Sequence, residues 1–184
     1  MDCPELELAD AYHEGFDLER DYSKALEWYF KATQPSKAFP EGHPESYYRI
    51  GTMYYDGRGV DKDYPRAARY FRKAALLGVA EAQMATAYML NFGVGCRENQ
   101  KEALWWLEQA ARQGRDDAQY LLAESLADDD PAKAYYWFVI AASNADLDDD
   151  HREKAHAAIE ELKKRILPKK AKAINSSAAV CFRH

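Results

Sequence analysis

Two runs of three aspartates, Asp128-Asp129-Asp130 and Asp148-Asp149-Asp150, are the densest groups of potential ligands in this chain. Between residues 116 and 150 ten acidic side chains stand against one lysine, Lys133. Carboxylates at that density could hold a hard cation or dock a basic partner. The spacing lacks the Asp-x-Asp-x-Asp-Gly pattern of a calcium loop, and each triplet directly precedes an expected helix start. Negative charge there caps free amides and favours the helix dipole, so capping and solubility is the first reading and an acidic docking patch the second. The five histidines, at 13, 43, 151, 156 and 184, form no zinc pair with one another or with a cysteine. His13-Glu14 lies near the end of the first expected helix and could touch a ligand. No phosphate loop, nucleophile elbow or paired metal motif occurs. The expectation is therefore a protein without catalysis, cofactor, metal or small-molecule substrate.

Charge narrows the partners. The net charge is −6, but residues 163–184 hold seven Lys or Arg and no acidic residue. Removing those seven from the total of 25 leaves 18 basic against 31 acidic residues in 1–162, a net of −13. An acidic body argues against nucleic acid, whose phosphates need a basic surface. The basic tail, residues 168–184, could fold back on the acidic body, touch anionic lipid or bind RNA, and one short basic run decides nothing. Cys3, Cys96 and Cys181 are odd in number and scattered, which suits a reducing compartment. No signal peptide and no apolar run of membrane-spanning length are visible, so a cytoplasmic placement is expected.

The elements that must position these residues are set by a pattern met four times. Asp21-x-x-Lys24-Ala25-x-x-Trp28 recurs as Asp63-x-x-Arg66-Ala67-x-x-Tyr70, as Asn99-x-x-Glu102-Ala103-x-x-Trp106 and as Asp130-x-x-Lys133-Ala134-x-x-Trp137. The shared alanines are 42, 36 and 31 residues apart, a period that marks stacked two-helix units. Asp or Asn opens the second helix of each unit, with Asn99 and Glu102 set for a capping box. Gly57-Arg58-Gly59-Val60 breaks the first helix of unit two, and Asn91 is expected to break that of unit three, with Gly95 and Cys96 lengthening the loop. Gly78 and Gly114 read as C-caps. The helix pairs fall at about 5–14 with 21–33, 45–56 with 64–77, 80–91 with 99–113, and 116–127 with 131–143. A last helix, 150–166, has one apolar stripe (Ala155, Ala158, Ile159, Leu162) suited to covering the final unit, and Pro168 should end it.

Gly51, Tyr54, Gly57-x-Gly59-Val60, Asp63, Ala67, Tyr70, Lys73-Ala74-Ala75 and Gly78 together resemble the Sel-one-like repeat family, relatives of tetratricopeptide repeats. Repeats at about 5–34, 45–79, 80–115 and 116–145 carry the resemblance, the first and last in degenerate form. It implies an all-α, right-handed α/α superhelix with residues 1–167 as one solenoid. It also implies a scaffold or adaptor that binds a protein partner, or, more narrowly, an immunity protein that neutralises a toxic effector.

In such an architecture the first helix of each pair lines the concave face. Positions left free by the repeat pattern are Leu6, Asp10, His13; Tyr48, Thr52, Tyr55; Ala82, Thr86, Met89; and Ala118, Leu122, Ser125. The partner-binding set expected from them is Asp10, His13, Tyr48, Thr52, Tyr55, Thr86, Met89, Leu122 and Ser125. Tyr48, Tyr55, Met89 and Leu122 would give apolar contact unless they complete the core; Asp10, His13 and Thr52 would give hydrogen bonds.

Overall fold

A computed structural model describes residues 3–166 and Ile174. Among the described residues it contains α-helices and no strand. The helices are α1 (Pro4–Glu14), α2 (Tyr22–Ala32), α3 (Pro44–Asp56), α4 (Tyr64–Leu76), α5 (Ala80–Phe92), α6 (Gln100–Arg112), α7 (Asp116–Leu126), α8 (Pro131–Ser143) and α9 (Asp149–Arg165).

The capping chemistry read from sequence sets the helix starts. Asp21, Asp63 and Asp130 each accept the amide three residues on, from Lys24, Arg66 and Lys133, at 3.0, 2.9 and 3.1 Å. Asn99 accepts from the Glu102 amide at 3.2 Å, but the return bond differs from a full capping box. Glu102 Oε2 takes the Asn99 side-chain amide (3.2 Å), while the Asn99 backbone N–H goes to Leu90 O (2.9 Å). Asp148 caps α9 through the His151 amide at 3.1 Å. Removing one such cap, Asp63→Ala, is expected to cost about 1 kcal/mol in a denaturation experiment.

One boundary departs from expectation. α5 does not stop at Asn91; it runs to Phe92, and Gly93 takes the left-handed cap with φ 64°. A glycine two residues away reaches that conformation without the steric penalty of a Cβ, so it wins over asparagine. Gly93-Val94-Gly95-Cys96 is thus the counterpart of Gly57-Arg58-Gly59-Val60, and the third loop carries no insertion. From cap glycine to the next capping residue both loops advance six positions, Gly57 to Asp63 and Gly93 to Asn99.

The second glycine of each loop makes a joint. A Cβ on Gly59 would lie 2.6 Å from the Tyr22 carbonyl carbon, and one on Gly95 would lie 2.3 Å from that of Tyr64. Each exit loop therefore packs its bare Cα against the first residue of the preceding repeat's second helix.

The chain divides into two compact units, Met1–Trp106 and Leu107–His184. In the first, α1 packs on α2, α2 on α3, α3 on α4 and α4 on α5. Its core holds Ala9, Ala25, Tyr29, Ile50, Met53, Ala67 and Phe71, with the small residues where helices approach and the rings filling between. In the second, α8 packs on α7 and on α9. Ala155, Ile159 and Leu162 bury the expected stripe of α9, which ends at Arg165. Pro168 and, Ile174 apart, the basic tail 168–184 lie outside the described residues.

Candidate partner-binding surface

In the first unit α1, α3 and α5 carry the expected contact residues, and their environments differ sharply. Asp10 accepts a 2.5 Å hydrogen bond from the buried Tyr29 hydroxyl, and Arg49 Nε stands 3.9 Å from the same oxygen. Arg49 also pairs with Glu45 at 3.2 Å. His13 sets its ring edge against Tyr22, 5.3 Å between centroids, and faces Glu14 at 3.0 Å. Thr52 returns its hydroxyl to Tyr48 O, 3.1 Å, within its own helix. Tyr48 and Tyr55 are half-buried and lean on Phe71, at 5.7 and 6.3 Å.

Tyr29 gives this cluster a pH dependence. Burial, reinforced by the Asp10 carboxylate, holds its phenol far above the ordinary value of 10.0. The unfolded chain loses that proton first. The stability contributed by this group is therefore complete below about pH 10 and falls as pH rises beyond it. Tyr29→Phe is expected to make the alkaline fall in melting temperature shallower, measured between about pH 8 and 11.

Three of the expected positions need correction. Thr86 and Met89 are buried (4% and 1% exposed), and Leu122 is buried in the second unit (1% exposed). Ala82 and Ala118, on the same assigned face, are fully enclosed. Thr86 satisfies its hydroxyl on Ala82 O at 2.7 Å. Ser125 is exposed, with its hydroxyl turned back to Leu121 O at 2.7 Å. The cause is the two-residue register error at Asn91: two residues turn a helix by about 200°, from the free face to the core. Gln83 and Gln119 fix the true register, since each donates its Nε2 to the carbonyl eight residues before it, Ala75 O (3.3 Å) and Ala111 O (3.2 Å). The counterparts of Tyr48, Thr52 and Tyr55 are then Met84, Tyr88 and Asn91 in α5, and Tyr120 and Glu124 in α7 with its C-cap residue Ala127.

Correcting the register exposes a surface that the sequence reading missed. Tyr88 is 48% exposed and Phe92 63%, with ring centroids 4.9 Å apart. Tyr64, 40% exposed, sets its edge against Tyr55 at 5.3 Å. The neighbouring Tyr88 hydroxyl raises the Tyr55 phenol above its ordinary range. The four rings form one aromatic strip from the start of α4 across α3 to the end of α5. Its signal was present in sequence, because Tyr88 aligns with Thr52 once Gly93 is matched to Gly57.

Two further sets of reactive or ligating groups among the described residues are engaged in structure. Cys96 donates its thiol to Met89 O at 3.4 Å, and burial pushes that thiol up, which disfavours the nucleophilic thiolate. Arg72 pairs with Glu102 at 2.7 Å beside it. Asp148, Asp150 and His151 bring ligating atoms within 4.8 Å of one another. Asp148 is already spent on the α9 cap and on His151 Nδ1, 2.5 Å away.

Stacked helix pairs with a solvent-facing strip of side chains define the class of helical-repeat interaction proteins. Residues 5–34, 44–79, 80–114 and 116–146 match the Sel1 repeat, and the chain belongs to that family of protein-interaction modules. It is 31% identical over 143 residues to an uncharacterized protein of Neisseria meningitidis, covering 78% of this chain and 28% of that protein. It is 30% identical over 150 residues to the chitin synthase regulator SKT5 of Saccharomyces cerevisiae, covering 76% and 21%. The chain thus spans about a quarter of the length of these curated relatives. A crystal structure of a Sel1 repeat protein from Oxalobacter formigenes shares the fold, with a TM-score of 0.73, 24% identity and coverage of 95% of this chain and 71% of that one. The fold is the all-α superhelix of that class. No helix among the described residues is long and apolar enough to cross a membrane.

Proposed function

We propose that this chain is a non-catalytic adaptor that holds a protein partner against the aromatic strip of its first unit. The observation that carries the reading is the strip itself, in which Tyr64, Tyr88 and Phe92 remain 40–63% exposed although each touches another ring. Aromatic rings fixed by their neighbours lose little side-chain entropy on binding and are favoured anchors of protein interfaces. A relative named as a chitin synthase regulator accords with a role that acts on another protein's activity. The described thiols, Cys3 and Cys96, are both unpaired, which accords with a reducing, cytoplasmic setting.

The test is capture from native lysate by the tagged chain and by Tyr88→Ser/Phe92→Ser, with bound proteins identified by mass spectrometry. A stoichiometric protein retained by the parent and lost by the variant supports the reading. A protein retained equally by both refutes the strip as its seat. Affinity then sorts the role: micromolar binding fits an adaptor, while a nanomolar, slowly released toxic enzyme would narrow it to immunity.

A further inference from the structure

The second unit contains a cleft of about 460 Å³ formed by the end of α6, the start of α7 and α8, bordered by Arg112, Gln119, Tyr136, Trp137, Ile140 and Asn144. Two of these side chains are more than nine-tenths buried, Gln119 at 5% and Trp137 at 6% exposure. Gln119 Oε1 and Trp137 Nε1 are both enclosed without a hydrogen-bond partner. The orientation of Gln119 is fixed, because its Nε2 donates to Ala111 O at 3.2 Å and a flipped amide would set two acceptors together.

The repeat explains why Trp137 lacks an acceptor. In the preceding copy Trp106 Nε1 donates to Glu102 Oε1, four residues back, at 3.4 Å. The matching position before Trp137 is Lys133, a donor only, and it is paired with Glu108 at 3.2 Å. An unpaired buried N–H and an unpaired buried carbonyl are each unfavourable, and two beside one cleft point to a group that satisfies both.

The geometry points to a primary carboxamide as that group: we propose that the cleft receives an Asn or Gln side chain of a protein partner. A carboxamide offers an acceptor to Trp137 Nε1 and a donor to Gln119 Oε1 at once. A carboxylate offers acceptors alone and would oppose Gln119 Oε1, while an ammonium offers donors alone and would oppose Trp137. Arg112 adds no call for an anion, since its guanidinium is paired with Glu108 at 2.8 Å. Ile140 and the indole face supply apolar contact for the methylene stem. Both orphan atoms are shielded from solvent, so the entering group displaces a side chain that covers them.

This proposal rests on the protein-binding reading above, but the two fail separately, because that reading is tested on the first unit and this one on the second. The full chain, labelled with nitrogen-15, is titrated with N-acetylglutamine N-methylamide and, in parallel, with its glutamate counterpart. The Trp137 indole N–H resonance is assigned by its loss in Trp137→Phe. The glutamine probe is expected to shift that resonance saturably, with apparent affinity about tenfold or more above the glutamate probe, the loss of one hydrogen bond with its buried partner left unmet. Lys133→Gln places an acceptor four residues before Trp137, as Glu102 is before Trp106, and should weaken the response to the glutamine probe. A Trp137 resonance that stays still, moves equally with both probes, or moves equally in Lys133→Gln overturns the proposal.

Discussion

Gly95→Ala is expected to lose about 3 kcal/mol or more of unfolding free energy, a large share of the roughly 5–15 kcal/mol that holds a domain of this size together. Two costs combine. Gly95 has φ 67°, where an L-residue with a Cβ is disfavoured by about 1–2 kcal/mol. The added methyl would also stand 2.3 Å from both the carbonyl carbon and oxygen of Tyr64, and that backbone is held inside the first turn of α4. Gly78→Ala separates the two costs. Gly78 has φ 94°, and a Cβ there meets nothing within 4 Å, so its loss should be confined to the backbone preference of about 1–2 kcal/mol. Equal losses for the two variants in chemical denaturation would show that the joint yields and that Gly95 is only a turn residue.

Tyr88→Ser/Phe92→Ser is expected to cost about 2 kcal/mol or more in partner binding, roughly a thirtyfold rise in Kd, with the midpoint of unfolding little changed. Both rings are largely solvent-facing, so truncating them removes little from the core. Tyr48→Ala should behave in the opposite way. That ring lies outside the strip and leans on Phe71, and its removal is expected to cost about 2 kcal/mol or more of stability. The crossed result, binding loss from the first variant and stability loss from the second, is read by calorimetry and denaturation on the parent and both variants. Stability loss from the Tyr88/Phe92 pair would instead place those rings in the core.

The helices were legible because their starts rest on local chemistry. Asp21, Asp63, Asn99 and Asp130 each cap the amide three residues ahead, a bond written in the order of residues alone. The seven-residue spacing of Ala67 and Ala74, or Ala103 and Ala110, likewise marks a close-packed face, and all four are buried. The face that meets a partner was less legible. It depends on absolute register, and Asn91 and Gly93 are both residues that can leave a helix in the left-handed conformation. Choosing between them needed the joint at Gly95 and Tyr64, a contact between residues 31 positions apart. That one choice moved Met89 from the expected surface to the core and set Tyr88 on the free face. The unmet atoms at Gln119 and Trp137 were invisible for a related reason, since a missing partner is a property of the packed neighbourhood. Only the change from Glu102 to Lys133 hinted at it.

The glycine joints also bear on how such a chain changes length. Gly59 seats on Tyr22, Gly95 seats on Tyr64, and each tyrosine follows a capping aspartate. Plug and socket are the same at both places, so either loop carries a surface that fits the other's seat. Excising residues 59–94, which joins Arg58 to Gly95, would bring the second plug to the first socket with chain direction and helix pairing preserved. Inserting a copy of the same thirty-six residues would do the reverse. Recombination between neighbouring copies thus has a ready-made splice point, at which the number of repeats can vary without a new interface having to be invented.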